Sequence, residues 1–271
     1  MKESAFTTVV GVDGKHLNQL SFSWPTWKRH KPALLKRPML IFHDYRQVLE
    51  SQVRKVVDHP NLKVVPWPNP LFQDEEFKGN DSDKWTNRQR NRMLCGFIHI
   101  PAQFVETPYW LKLDTDVVAV GRDNWINPEW FAKQPVIVAH PWKFTKPPDQ
   151  MLWLDDWVRQ NADHLPFLAG TNPLNLFPKK GSQRLGHRRI ISWCGFFGTN
   201  FTRVCAAAAS VTCQPNHLPV PSQDGFSWYM ATRLGQLVQP VNLKCRGWQH
   251  WGTQANVEKY SALAMEMEKN S

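Results

Sequence analysis

Tyr109–Val120 reads YWLKLDTDVVAV, two aspartates one residue apart inside an otherwise apolar run. Pro108 opens the run and Gly121 closes it, so the pattern predicts a buried strand of about ten residues. Buried strands rarely carry two carboxylates, because an unpaired charge in a low dielectric costs several kcal/mol. On a strand Asp114 and Asp116 share parity and point to one side. Two carboxylates converging there call for a cation, and a hard divalent ion such as Mg²⁺ or Mn²⁺, itself holding a phosphate, suits them. The structural alternative is a strand end whose acids cap a neighbouring helix or pair with Arg122.

The rest of the composition narrows the partners. The 271 residues suffice for one large α/β domain or two small ones. The net charge of +10 points to an anionic partner: nucleotide phosphates, nucleic acid or an acidic membrane face. The basic residues are scattered rather than striped and no nucleic-acid-binding signature accompanies them, so nucleic acid is excluded as the expected partner. Fourteen tryptophans are spread through the chain, which suggests core and rim packing, with some free to act as platforms for sugar rings. Five cysteines form no CxxC pair, which favours reduced thiols over a zinc site. MKESAFTTVV has no hydrophobic signal segment, and no run of about 18 apolar residues occurs. The expected location is cytoplasmic, at most peripheral at the inner face of a membrane.

Strand and helix signals alternate up to the aspartate pair. Phe6–Val12, Pro38–His43 and Leu62–Trp67 read as strands, Arg46–Val57 and Lys84–Ile100 as helices, and residues 68–83 as a polar loop. Such alternation implies an α/β fold with a mixed, mostly parallel sheet flanked by helices, whose ligands bind beyond the carboxyl ends of the strands. Further on, Pro135–His140 and Arg189–Phe197 read as strands and Met151–Ala162 as a helix. A second helix runs on from Phe197 through Ala209, Gln223–Leu237 is a third, residues 163–188 are irregular, and Asn256–Ser271 forms a helical tail. The simplest organisation is one domain over 1–271, with a nucleotide-sugar-binding half to about 121, an acceptor-binding half over about 122–255, and the tail.

Three stretches carry a family resemblance. LKLDTDVVAV lies roughly a hundred residues into the alternating region. SQDGFSWYMATRLG, Ser222–Gly235, opens a predicted helix with an acid and has a glycine eleven residues after Asp224. RGWQHWG, Arg246–Gly252, brings a late histidine. Together they resemble the glycosyltransferases of the GT-A fold (Rossmann-like), in which an Asp-x-Asp motif ends a central strand and holds a metal bound to the diphosphate of a sugar nucleotide. The resemblance implies Mn²⁺ or Mg²⁺ as cofactor, a nucleotide-diphosphate sugar as donor and a carbohydrate or glycolipid acceptor. It implies direct coordination by Asp116, and Asp114 on the donor ribose or a metal-bound water. His250 becomes the third ligand, with His140 as its competitor, and an imidazole among the carboxylates favours Mn²⁺ over Mg²⁺. It also implies Asp224 as the base of an inverting reaction, although Gln223 stands where that pattern has Glu, and Asp44 at the donor base, with Asp13 a weaker candidate for the same pocket.

Arg88 and Arg92, four apart on the predicted helix before the Asp114 strand, share a face that suits phosphate or plain solvent. The glycines of WCGFFGTN, Trp193–Asn200, allow either close approach of a sugar or a tight strand-to-helix turn. Two rival classes fit part of this. A haloacid-dehalogenase-like phosphatase also uses Asp-x-Asp at a strand end, with Asp114 as nucleophile and Asp116 as general acid/base; the acidic pair it needs at a later strand end would be Asp155–Asp156, which sits in a helix-like stretch. A non-catalytic carbohydrate- or nucleotide-binding module would need the tryptophans and basic residues but no turnover.

Overall fold

The computed structural model describes residues 6–67, 87–121, 124–143, 149–169, 188–212 and 223–267. Seven strands form the main sheet: β1 (Phe6–Val12), β2 (Met39–His43), β3 (Leu62–Pro66), β4 (Tyr109–Leu113), β6 (Ile137–Lys143), β7 (Arg188–Gly198) and β8 (Val238–Pro240). Their order is β3-β2-β1-β4-β7-β6-β8. The pairs β1–β2, β1–β4, β2–β3 and β6–β8 are parallel, while β7 runs antiparallel to both β4 and β6. The sheet is therefore mixed and mostly parallel, and β4 sits at its middle. A separate ribbon pairs β5 (Val117–Ala119) antiparallel with β9 (Trp248–His250).

Alternating burial sorts the strands onto two helical layers. Val9, Leu40, Phe42, Trp110 and Phe197 face a core shared with α3 (Asn87–Phe104), α4 (Asp149–Gln160), the short α5 (Pro166–Ala169), α6 (Thr199–Thr212) and α7 (Gln223–Arg233). Phe6, Val10, Ile41, Leu111, Leu113 and Phe196 face the other way, onto α1 (Gly14–His30), α2 (Glu50–Val56) and the ribbon residues Val117, Ala119 and Trp248. The last helix, α8 (Gln254–Glu266), packs Val257 and Ala264 on Val118 and lies along α1, where the His30 ring meets the Ala264 carbonyl at 2.7 Å. Trp24, Trp27, Trp67, Trp110, Trp125 and Trp248 are fully buried, so much of the tryptophan excess is core. Two of these buried indoles are paired: Trp27 Nε1 donates to the Val117 carbonyl at 2.6 Å and Trp110 Nε1 to Thr202 Oγ1 at 2.8 Å.

The expected run of one strand from Tyr109 to Val120 is corrected. β4 ends at Leu113, Asp114 to Asp116 form a turn closed by Val117 N–H on the Asp114 carbonyl (3.2 Å), and β5 leaves the main sheet to pair with β9. Both pieces are apolar because both are buried, which is why the composition reads as continuous. The helix expected at Arg46–Val57 begins only at Glu50, since the Asp44 carbonyl takes the N–H groups of Gln47 and Val48 in a preceding turn. The segment between the first two strands folds as the long helix α1. Its start is set by Asp13, whose carboxylate accepts the His16 N–H at 2.8 Å, and its end carries Lys28, Arg29 and His30, which suit the helix dipole.

Candidate active site at the carboxyl edge of the sheet

Asp114 follows the last residue of β4, and its N–H is fixed by the Trp193 carbonyl of β7 at 2.9 Å. Asp116 precedes β5, and its carbonyl accepts the Trp251 N–H at 3.2 Å. The β5–β9 register sets Val117 opposite His250, so the ribbon carries a histidine from far along the chain back onto the aspartate turn. One ligand atom from each of Asp114, Asp116 and His250 lies within 4.8 Å of the others. His250 Nε2 is 3.2 Å from Asp116 Oδ2, and its ring stacks on Trp193 with centroids 5.9 Å apart and planes 20° apart. His140 is not brought into this group; it lies on β6, behind Trp193 at 6.5 Å.

The ribbon depends on a close approach. Gly247 has φ +80°, its carbonyl accepts the Val120 N–H at 2.8 Å, and a Cβ there would lie 2.0 Å from the Val120 oxygen. Lys31, fully buried at the end of α1, donates to the carbonyls of Gly121 (2.8 Å), Arg246 (3.2 Å) and Val120 (3.3 Å). A single ammonium thus ties both ribbon strands to α1.

Charge in the site is finely divided. Burial pushes the Asp114 carboxyl up, and Asp116 adds to this; the Lys112 ammonium, hydrogen-bonded to Asp114 Oδ1, opposes it without reversing it. Burial would raise Asp116 too, but the hydrogen bond and charge of His250 outweigh it and hold Asp116 below the usual carboxylate range. The same two acids lift His250 above its ordinary value despite its burial. Asp116 Oδ1 is buried with no hydrogen-bond partner. An orphaned carboxylate oxygen beside a second carboxylate and an imidazole is a donor set that fits a divalent cation, and the nitrogen suits Mn²⁺ better than Mg²⁺.

The other expected residues are dispersed around this centre. Asp44 ends β2 and is fully buried, but its oxygens are taken by its own loop, from Arg46 N–H (3.1 Å) and Gln47 Nε2 (2.7 Å). Burial raises its carboxyl, and the nearby charge of Asp13 adds to that. Asp13 ends β1 and is also fully buried. Asp224 lies in the first turn of α7 and is buried, next to Gln223. Arg88 and Arg92 fall on α3, with their side chains outside the described residues, as is Arg122. In WCGFFGTN the strand β7 passes straight into α6 at Gly198–Thr199, the tight turn that was one of the two expectations.

The phosphatase alternative loses its second acidic pair. Asp155 is buried on α4 and bound by Tyr229 Oη (2.5 Å) and Arg233 (2.6 Å), while Asp156 pairs with Arg159 on the surface. Neither joins Asp114. Sequence reasoning missed Lys112, whose parity with Asp114 in LKLD was a usable signal, and His16 and Gln19, for which no local signal exists. Gln19 Oε1 accepts from Thr115 Oγ1 at 2.8 Å, holding the residue between the two aspartates.

No protein-family model and no curated protein matches the sequence. Among solved structures, the galactosyltransferase LgtC in complex with donor and acceptor sugar analogs is similar over 98% of this chain and 98% of its own, at 12% identity and a TM-score of 0.54. The fold is GT-A-like. The core-mannan synthase CmsA/Ktr4 of Aspergillus fumigatus, in a Mn/GDP form, is similar over 84% of this chain at 12% identity and a TM-score of 0.52, and this chain spans 66% of its length. A 4-diphosphocytidyl-2C-methyl-D-erythritol synthase from Anaerococcus prevotii is similar over 97% of this chain and 99% of its own, at 10% identity and a TM-score of 0.50. The GT-A-like architecture is thus shared with a synthase as well as with glycosyltransferases, and the reaction has to be argued from the site. No helix among the described residues is long and apolar enough to cross a membrane.

Proposed function

We propose that this protein is a metal-dependent glycosyltransferase that moves a sugar from a nucleotide-diphosphate donor to an acceptor hydroxyl. The observation that carries the reading is the convergence of Asp114, Asp116 and His250 at the carboxyl edge of a central strand. Asp116 and His250 would hold Mn²⁺ or Mg²⁺, and Asp114 would bind the donor ribose or a metal-bound water. When bound, the cation supplies Lewis-acid stabilisation of the charge that grows on the departing diphosphate. That two similar folds are described with Mn/GDP and with donor and acceptor sugar analogs supports the same class of ligand here.

The chain's own residues do the rest. The first turn of α3 enters from the carboxyl edge, because a crossover helix runs against its parallel strands. Phe97 of α3 lies over the Lys112 ammonium, and Arg92 is five residues, about 7.5 Å, further toward that edge. Arg88 and Arg92, at this end of α3, are proposed to meet the donor phosphates, and Asp44 to border the base. Asp224 is proposed to take the proton from the acceptor hydroxyl as its oxygen bonds to the anomeric carbon and the bond from that carbon to the diphosphate oxygen breaks, inverting the configuration. The acceptor is a carbohydrate or glycolipid, and the whole of 1–271 is proposed to act as one domain, in the cytoplasm or peripherally at a membrane.

The test is turnover of UDP-, GDP- and CDP-sugars by purified protein with Mn²⁺, followed by release of nucleoside diphosphate. Asp116→Ala should reduce it at least a hundredfold, on the order expected for loss of a metal ligand's charge stabilisation. Binding without turnover would leave only a binding module, and pyrophosphate release from a nucleoside triphosphate and a sugar phosphate would make it a nucleotidyltransferase. NMR of the product's anomeric proton checks the base: retention of configuration removes that role from Asp224.

A further inference from the structure

Asp13 and His16 form a second polar unit on the rim of the aspartate turn, with no part in the roles assigned above beyond the bordering of a pocket. The Asp13 carboxylate is fully buried; one oxygen accepts both the His16 backbone N–H and His16 Nδ1, each at 2.8 Å, and the other is buried with no hydrogen-bond partner. Because Asp13 caps α1, the imidazole is fixed in the helix's first turn with Nδ1 committed inward and Nε2 left to face outward. A third of the His16 side chain is exposed, so Nε2 is reachable. Gln19, three residues on and on the same helix face, touches Thr115 between the two aspartates. His16 thus stands one helical turn nearer the cleft than that contact. It is not among the atoms that converge within 4.8 Å at Asp114, Asp116 and His250.

We infer that the Asp13–His16 dyad is an anion-binding arm of the site, its Nε2–H donating to a phosphate oxygen of the donor's diphosphate. A buried carboxylate behind an imidazole keeps it oriented and favours its charged, doubly donating form. The hydrogen bond and charge of Asp13 lift His16 above its ordinary value against the effect of burial. The positive end of the α1 dipole lies in the same turn. A metal-ligand role is disfavoured by distance, and a purely structural role leaves the outward Nε2 without a purpose.

This inference rests on the reading of the site as one for a metal-bound diphosphate, so the experiment measures the two separately. Mn²⁺ binding alone is followed by the EPR signal of the free ion, and binding of inorganic pyrophosphate, UDP and GDP by calorimetry at saturating Mn²⁺. His16→Gln should bind Mn²⁺ within twofold of the parent but pyrophosphate and the diphosphates about tenfold more weakly, the size expected for one charge-assisted hydrogen bond. Asp13→Asn, which can still cap the helix, should show the same pattern, and His16→Lys should recover most of the loss. Equal pyrophosphate affinity in His16→Gln and parent overturns the inference. Loss of Mn²⁺ binding in His16→Gln also overturns it, since the imidazole would then be a ligand. Failure of the parent to bind Mn²⁺ at all would instead overturn the metal-dependent reading itself.

Discussion

At the scale of single residues, the site is a set of carboxylates whose neighbours divide their charge. Asp13 and His16 show how far this reaches into stability. The His16 hydrogen bond and charge overcome the burial that would raise Asp13 and hold it below its usual 3.8, while His16 itself is held above 6.5. A lowered acid contributes stability that is present above its unfolded value and lost as pH falls through the folded one. A raised histidine contributes stability that is present below its unfolded value and lost as pH rises through the folded one. The dyad, with Asp44, Asp114 and Asp116 as its charged neighbours, therefore stabilises most between about pH 4 and pH 6.5. Asp13→Asn should accordingly show a Tm deficit that is widest in that window and narrows above it, measured with metal chelated. A deficit constant across pH would sink this account. Nothing local in VDGKHLNQL announces the dyad; Asp13 entered only as a weaker candidate for the donor-base pocket, and His16 not at all.

At the scale of elements, the two-strand ribbon does what the main sheet cannot. It returns His250 to the aspartate turn; Lys31 pins it to α1, and the close passage of Gly247 under Val120 holds its two strands together. Removing the ammonium leaves three partly buried carbonyls without this donor. Lys31→Met should lower unfolding stability by roughly 2–4 kcal/mol in urea titration. It should also weaken Mn²⁺ binding, because His250 is held through the same ribbon. Stability lost with metal affinity untouched would mean that the ribbon keeps its place without Lys31. The ribbon was hidden in the sequence for a definable reason: β5 and β9 have three residues each, too few for a period to show. Most of the longer strands and helices were found to within a few residues, but α1 was not, because its buried face carries Gln19, Ser23, Thr26 and His30 among its apolar residues and so shows no clear hydrophobic period.

At the scale of the whole molecule, the neighbouring acids Asp155 and Asp156 show what packing decides. Asp155 joins Tyr229 and Arg233 in a buried cluster that fastens α4 to α7, the helix carrying Asp224; Asp156 is on the surface with Arg159. Asp155→Ala strands a buried guanidinium and should cost about 3–5 kcal/mol, against less than about 1 kcal/mol for Asp156→Ala. Chemical denaturation of both variants checks this, and equal costs would contradict the placement of the two acids. The sequence by itself determined the α/β alternation, the mixed sheet, and the pairing of two aspartates that want a cation, because burial and hydrophobic period are written locally. Only the tertiary structure decided that those aspartates converge through a turn rather than along a strand, that His250 and not His140 joins them, and that Asp155 serves packing. Each of those outcomes depends on residues far apart in the chain meeting in space, and contacts of that kind leave no periodic mark in the order of amino acids.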